Sequence, residues 1–261
     1  MKIGATNFPS TTQTESVSNK LNNQLASGKR VTSATDDAVA LQIINRLTSQ
    51  QEGYNQSIRN AYDGISFSQT TDSALSGVND AVSRIRELSI QAGNGALTDS
   101  DRQALQDEVS QLQSQITDTF ENTTFGGTQL FDGESRSFQI GPDANTTQSL
   151  EQTDGSFANV ILSVDISTQA GAQAAITAAD DVSESLNSQR AEFGAFENTL
   201  SSTIRSLGTQ QSNIAESQSR IQDTDYAQAA SQQIANDILS QASIALRGQA
   251  NQSASSVLGL L

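Results

Sequence analysis

The apolar positions in the first third of the chain recur at alternating spacings of three and four residues. They run from Ile44 to Leu75, slip by one position, and continue through Val78 to Leu88. This spacing is typical of a long helix that packs against neighbouring helices, and a helix absorbs such a slip by a local change in its winding. We therefore predict one long helix over residues 37–92.

A helix break is predicted at the sequence GNGALTDSDRQ. Gly93 and Gly95 suit the end of one helix, and the hydroxyl of Thr98 or Ser100 can cap the first turn of the next. Because the connection is short and the second helix needs a partner for its apolar stripe, we expect it to fold back antiparallel on the first. The stripe consists of Leu105, Val109, Leu112 and Ile116.

Gly-rich turns alternate with β-branched and aromatic residues over residues 120–167, in TTFGGTQLFDG, SRSFQIG and FANVILSVDIS. This composition predicts a few short strands at one end of a bundle. Apolar spacings of three and four return from Leu186 to Ile221, which predicts the third bundle helix. The predicted fold class is mainly α, a long antiparallel helical bundle or coiled coil with a small β region.

Helical patterns also occupy both ends of the chain. Val17, Leu21 and Leu25 recur every four residues near the start, and a second stripe runs from Ala235 to Ser253. The first of these has too little apolar surface to offset an ordering cost of roughly 1–2 kcal/mol per residue. We expect the two terminal segments to be ordered by pairing with each other and with other copies of the chain.

Charge is distributed unevenly along the chain. The formal net charge is −15, whereas residues 1–28 carry +1 and residues 227–261 carry 0, so that residues 29–226 carry −16. The neutral C-terminal stretch has only two charged residues, Asp237 and Arg247, and is rich in Ile and Leu. An uncharged apolar end favours packing against other protein, while the acidic middle favours exposure to water.

The composition excludes several classes of function. The chain has no Cys, His or Trp, so disulfides, thiolate or imidazole catalysis and the usual zinc and haem sites are excluded. The acidic balance argues against nucleic-acid binding, which needs clustered cations. We expect no cofactor. We also expect no classical signal peptide, because the first 20 residues lack an apolar run and a small-residue cleavage site, and no membrane span, because Ser, Gln and Asn interrupt the apolar C-terminal stretch.

Two sets of charged residues have competing interpretations. The pairs Asp36–Asp37 and Asp180–Asp181 could bind a metal, but acids near a helix start are more often capping groups. The cluster of Arg84, Arg86 and Glu87 could be a solvated face or a recognition patch. From the residues alone, the solvated face is the favoured interpretation.

Several long motifs resemble bacterial flagellin, and they occur in the order typical of that family. The resemblance covers nearly the whole chain, and only about 47 residues separate the second and third predicted bundle helices, so the chain resembles a minimal flagellin without large outer variable domains. The motifs are LASGKRVTSATDDAVALQI, SIRNAYDGISFSQTTDSAL, RIRELSIQAGNG, TTFGGTQLFDG, SRIQDTDYAQ and RGQANQSASSVLGLL.

The resemblance implies a structural subunit that self-polymerises into the flagellar filament for swimming motility. It implies export through the flagellar export apparatus with an export chaperone, assembly under a filament cap and an extracellular location. Residues 1–36 and 223–261 would form the inner helical domain. The outer core domain would consist of residues 37–185, which include the β region 120–167, and of the third bundle helix at residues 186–222.

In such filaments the terminal helices pair in the inner core. The resemblance therefore implies that the apolar residues of both terminal segments of this chain pack there. These polymerisation residues are Val17, Leu21, Leu25, Ile234, Ile238, Leu239, Ala242, Leu246, Val257, Leu258, Leu260 and Leu261.

The resemblance also implies a contact with the host flagellin-sensing Toll-like receptor. Arg84, Leu88 and Glu108 match the contact motif of the family. Two other functions remain open at this point. The chain also resembles the hook-filament junction protein of the flagellin superfamily in SGKRVTSATDD and AGNGALTDSDRQ. An enzyme is the third hypothesis, but no H-E-x-x-H motif is present.

Overall fold

The computed structural model describes residues 11–151 and 155–258. Long helices dominate the described residues, and the chain divides into two compact units. Unit 1 comprises Met1–Gln51 and Ser212–Leu261, and unit 2 comprises Glu52–Gln211. Mainly helical structure with a small β region confirms the predicted fold class. The four predicted domain segments stay a prediction.

The first long helix, α2, spans Ala38–Ala92, and α3 spans Asp99–Asn122. A hydroxyl cap at Thr98 starts α3, which is one of the two caps that the sequence predicted, and it is part of a reciprocal capping box with Asp101. The Thr98 hydroxyl accepts a hydrogen bond from the Asp101 backbone N–H at 3.3 Å, and the Asp101 carboxylate accepts one from the Thr98 N–H at 3.0 Å. Each bond satisfies a backbone donor that the first helical turn leaves without a partner.

The third bundle helix, α5, spans Gln169–Gln222 and begins well before the predicted start at Leu186. The prediction was wrong because the first four turns of α5 are buried through small side chains rather than large ones. An alanine stripe allows close helix packing but gives little hydrophobic contrast in the sequence. The buried small residues are Ala172, Ala175, Ala178, Ala179 and Val182.

Helices α2 and α5 run antiparallel in unit 2. Residue numbers fall along α5 as they rise along α2: Tyr54 Oη donates to Gln210 Oε1 at 3.0 Å, and Arg86 Nε donates to Asp180 Oδ1 at 2.6 Å. The unit 2 core lies between α2, α3 and α5, where Leu75, Ile85, Ile116, Leu186 and Leu200 are fully buried. These positions belong to the predicted apolar stripes.

Two short antiparallel hairpins form the β region. In the first, β1 (Thr124–Phe125) pairs with β2 (Thr128–Gln129) through Gly126 and Gly127, whose φ values of 59° and 84° are those of a tight hairpin turn. In the second, β3 (Arg136–Gln139) pairs with β4 (Thr147–Leu150). Aromatic edge-to-face contacts join the β region to α2, with Phe67 5.8 Å from Phe125 and 5.7 Å from Phe138 between ring centroids.

The run FANVILSVDIS is not a strand, although its β-branched residues predicted one. It forms a 3₁₀ turn, Ser156–Ala158, followed by one helical turn, α4, at Asn159–Leu162. Ala158 and Ile161 are fully buried and Val160 is exposed. This spacing of three is the period of a helix and not of a strand, and periodicity cannot distinguish the two in so short a run.

Unit 1 contains the terminal helices, α1 at Thr11–Ser27 and α6 at Tyr226–Leu258, and the linkers that join them to α2 and α5. An antiparallel bridge between Lys29 and Asp223 connects the two linkers. A small second core lies beneath them and consists of Val31, Ala40 and Ile44. None of the helices in the part of the chain that the structure describes has the length and apolarity to cross a membrane.

Candidate assembly surface

Helices α1 and α6 pair antiparallel within unit 1. Tyr226 Oη donates to the backbone oxygen of Leu25 at 3.0 Å, and two turns further along α6 Gln233 Nε2 donates to Ser18 Oγ at 3.0 Å. Leu21 and Ala229 are the buried apolar residues of the pair, at 6% and 3% exposure. Polar and small side chains therefore make most of this contact.

A carboxylate fastens the linker after α1 to α1 itself. Asp36 Oδ2 accepts four hydrogen bonds, from the backbone N–H and the hydroxyl of both Thr32 and Ser33, at 3.0–3.2 Å. Its Oδ1 pairs with Lys20 Nζ of α1 at 3.2 Å. The bond from Lys20, followed by those from Thr32 and Ser33, lowers the pKa of Asp36 well below its ordinary value. Asp36 thus anchors the linker structurally.

The large apolar residues of α6 do not face α1. Ile234, Ile238 and Leu239 are each 61% exposed, and Leu246 is 52% exposed. With about 100° of rotation per residue, positions 234, 238, 242 and 246 form one continuous face. The residues of α6 that lie buried or half-buried are instead 229, 233, 236, 240 and 243, on the opposite side of the helix.

This exposed face of α6, formed by Ile234, Ile238, Leu239, Ala242 and Leu246, is here called the α6 apolar face. Such a row of exposed aliphatic side chains is unusual for an isolated soluble protein and is typical of a contact surface. The sequence identified these residues but not their separation from the contact with α1. The signal was the repeat of four from residue 234 to 246 beside a run of Ala, Gln and Ser.

The remaining predicted polymerisation residues have different environments. On α1, Leu21 is buried, Leu25 is half-buried and Val17 is 42% exposed. Val257 and Leu258 end α6, but their side chains lie outside the described residues. Leu260 and Leu261 lie wholly outside them.

The structure brings two of the three predicted receptor residues together. Arg84 Nη2 of α2 lies 2.8 Å from Glu108 Oε1 of α3, and both side chains are about half exposed. Glu108 and then Glu87 raise the pKa of Arg84 above its ordinary value. Leu88 is only 1% exposed, because it also belongs to the core stripe of α2. The exposed part of the predicted patch is therefore the ion pair alone.

The described residues contain no group of three or more acidic residues arranged to hold a metal ion. Asp180 pairs with Arg86 at 2.6 Å, and Asp37 accepts a hydrogen bond from the Ala40 backbone N–H at 2.9 Å. In the two Asp–Asp sequences, Asp37 is therefore a capping residue and Asp180 is a member of an ion pair.

Comparison with known proteins gives matches over most of the chain. Residues 5–136 match the family model described as the bacterial flagellin N-terminal helical region, and residues 176–261 match the bacterial flagellin C-terminal helical region. The flagellin of Bacillus subtilis is 35% identical over 94% of this chain and 93% of its own length. The flagellar filament 30.7 kDa core protein of Treponema maltophilum is 34% identical over 91% and 90%.

Solved structures agree with the sequence matches. The crystal structure of Bacillus cereus flagellin has 27% identity and a TM-score of 0.53, covering 61% of this chain and 94% of that one. A putative flagellar hook-associated protein from Vibrio parahaemolyticus has 17% identity and a TM-score of 0.64, covering 72% and 100%, and shows a shared fold alone. With both family regions matched and relatives above 30% identity over their length, the chain belongs to the bacterial flagellin family.

Proposed function

We propose that this chain is the structural subunit of a flagellar filament and that its copies polymerise through the α6 apolar face. The observation that carries the proposal is that α6 meets α1 with small and polar residues and keeps its large aliphatic residues exposed. Burial of a Leu or Ile side chain stabilises a contact by about 1.5–3 kcal/mol. Several such residues on every subunit supply a strong drive for association.

The charge distribution supports the same arrangement. Residues 227–261 have zero net charge, so the terminal helices of many copies can pack closely without mutual repulsion. The acidic residues 29–226 are better suited to the outer, hydrated part of a filament. A contact between different surfaces of neighbouring subunits does not close on itself, and it therefore extends into a helical polymer.

Export, cap-assisted assembly and an extracellular location complete the proposal. We infer that the chain is passed to the flagellar export apparatus with an export chaperone and is added to the filament beneath the cap. Membership of the flagellin family supports these partners. The role is structural, and we propose no catalytic activity: a peptide pool incubated with purified filaments should stay intact.

The hook-filament junction protein is the alternative function. The fold shared with a hook-associated protein is compatible with it, but both family regions and the more similar relatives are those of flagellins and filament proteins. Copy number distinguishes the two functions, because a filament subunit must be the most abundant protein of isolated flagella and a junction protein must be rare.

A charge placed on the α6 apolar face should abolish polymerisation. Leu239→Asp or Leu246→Asp buries an unpaired carboxylate in the contact between subunits, which costs at least about 3 kcal/mol, or roughly a hundredfold in critical concentration. Pelleting of assembled protein measures the effect, and circular dichroism checks that the helices remain. Ala230→Asp is the matched control, because Ala230 is an exposed residue about 180° around α6 from Leu239 and about 160° from Leu246.

The control should polymerise nearly as well as the parent chain. Normal filaments from Leu239→Asp and Leu246→Asp would show that the face is not buried in the polymer. Equal loss in all three variants would mean that added charge, and not its position on α6, blocks assembly.

A second expectation concerns the host receptor. If the Arg84–Glu108 pair is a recognition site, the double variant Arg84→Ala/Glu108→Ala should signal through the flagellin-sensing receptor far more weakly than the parent monomer. Its thermal stability should stay nearly unchanged, because exposed ion pairs contribute little to folding. Arg86→Ala/Asp180→Ala removes another exposed α2 pair and serves as control. Equal signalling by the parent and the Arg84 variant would remove the receptor assignment.

A further inference from the structure

The turn between α2 and α3 contains the only Asn–Gly pair of the sequence, Asn94–Gly95. Both residues are exposed, and neither belongs to a helix or a strand. We propose that Asn94 is a site of spontaneous deamidation in the folded protein, in which water converts its carboxamide into the carboxylate of an aspartyl or isoaspartyl residue. This modification is independent of the role in filament assembly.

The reaction uses only groups of this turn and solvent. The backbone nitrogen of Gly95 gives up its proton to hydroxide and attacks Cγ of Asn94. The new N–Cγ bond closes a succinimide ring, and the side-chain nitrogen leaves as ammonia. Water then opens the ring. Cleavage of the N–Cγ bond gives aspartate, and cleavage of the original peptide bond gives isoaspartate. The net change is one water consumed and one ammonia released, with no oxidation or reduction.

The nucleophile is accessible in this turn. Within the part of the chain that the structure describes, no residue accepts a hydrogen bond from the N–H of Gly95. Gly95 has no Cβ to obstruct the approach of the Asn94 side chain, and glycine adopts the ring-closing backbone conformation more readily than other residues. The nitrogen is thus free to lose its proton and to reach Cγ.

The electrophile is held in place. Asn94 Oδ1 accepts a hydrogen bond from the backbone N–H of Ala96 at 3.1 Å. This bond folds the carboxamide over the peptide that follows Asn94, and it polarises the carbonyl that is attacked. The same turn therefore exposes the nucleophile and keeps its target beside it.

A helical asparagine provides the contrast. Asn187 is exposed and precedes a small residue, Ser188, but both lie inside α5. The N–H of Ser188 is committed to the intrahelical hydrogen-bond ladder, and the helix fixes a backbone conformation that cannot close the ring. Asn187 should remain an amide while Asn94 reacts.

Modification would change the contacts of the turn. The backbone oxygen of Asn94 accepts from the Leu97 N–H at 3.2 Å and from Nη1 of Arg102 at 3.3 Å. Only 8% of the surface of Arg102 is exposed, so the hydrogen bond to Asn94 helps to satisfy a guanidinium that has little access to water. Isoaspartate inserts a methylene into the main chain and displaces that oxygen. The modified protein also gains one negative charge.

The test follows the purified full-length chain during incubation in mildly alkaline buffer under native conditions. Peptide mapping by mass spectrometry measures the replacement of NH₂ by OH at each asparagine, and an isoaspartate-specific methyltransferase identifies the rearranged product. Gly95→Ala is the matched variant. Gly95 has no positive φ, and an added Cβ would meet only Gln169 Nε2, at 4.0 Å, so the fold accommodates the alanine.

Conversion at Asn94 should be at least about tenfold faster than at Asn187, and at least about tenfold slower in Gly95→Ala, because alanine restricts the backbone that must close the ring. The Asn187 comparison needs no variant, so it stands even if the substitution disturbs the turn. An unmodified Asn94, equal rates at Asn94 and Asn187, or equal rates in the parent and Gly95→Ala would overturn the proposal.

Discussion

Single side chains connect the terminal helix α1 to the rest of unit 1. Asp36 is the clearest case, because its carboxylate accepts from Thr32 and Ser33 and pairs with Lys20. Tyr226 contributes a second connection through Leu25. These polar contacts hold the C-terminal half of α1 against its linker and against α6.

Removal of the Asp36 charge should loosen α1. Asp36→Asn should lower the local stability of unit 1 by about 1 kcal/mol at neutral pH, because charge-assisted hydrogen bonds become neutral ones. Lys20→Met removes only the ion pair and should lower the local stability by a few tenths of about 1 kcal/mol. Hydrogen exchange of the α1 amides measures both. Equal exchange in Asp36→Asn and the parent would show that Asp36 is not an anchor.

The same residue predicts a pH dependence. Because folding lowers the pKa of Asp36, its contribution is fully present above the ordinary value of about 3.9 and is lost as the pH falls towards the lower folded-state value. The parent should therefore lose α1 protection progressively below about pH 4. Asp36→Asn should lack this part of the acid response, and an identical pH profile would contradict the assignment.

At the scale of elements, the sequence predicted the helices and strands whose buried positions are occupied by large apolar residues. Spacing and turn chemistry predicted the bounds of α2, a hydroxyl cap at the start of α3 and short strands in the β region. The start of α5 and the helical turn of α4 did not. The buried face at the start of α5 consists mainly of alanine, which differs too little in hydrophobicity from the exposed residues to produce a clear periodic pattern. A short run of β-branched residues fits a strand or a helix equally well.

The packing of α2 gives a matched pair of substitutions. A Cβ at Gly64 would lie 2.8 Å from Leu200 Cδ1 and 3.3 Å from Phe138 Cδ1, whereas a Cβ at Gly77 would meet nothing within 4 Å. Gly64→Ala should lower the free energy of unfolding by up to about 2 kcal/mol, because overpacking outweighs the helix preference of alanine there. Gly77→Ala should raise it by up to about 1 kcal/mol, since alanine favours the helix.

Thermal or urea unfolding of both variants, followed by circular dichroism, separates the two effects. The sign should differ between them although the chemical change is the same. Stabilisation by Gly64→Ala would mean that α2, Leu200 and Phe138 are packed less closely than the distances indicate.

At the scale of the whole molecule, the candidate surface was only partly predictable. Composition identified the C-terminal stretch as the part of the chain suited to packing, and the periodic residues of α6 were correctly marked as apolar. The pairing of α1 with α6 determines which of these residues stay exposed, and that geometry cannot be predicted from a single sequence. The burial of Leu88, in contrast, could have been predicted, because Leu88 belongs to the apolar stripe of α2.

The central claim is that copies of the chain bury the α6 apolar face against one another. Electron cryo-microscopy of filaments grown from the purified chain tests it most directly. The map should show α1 and α6 in the inner part of the tube, with Ile238, Leu239 and Leu246 in contact with neighbouring subunits. Filaments in which these three side chains face solvent, or in which α6 contacts only its own subunit, would contradict the account.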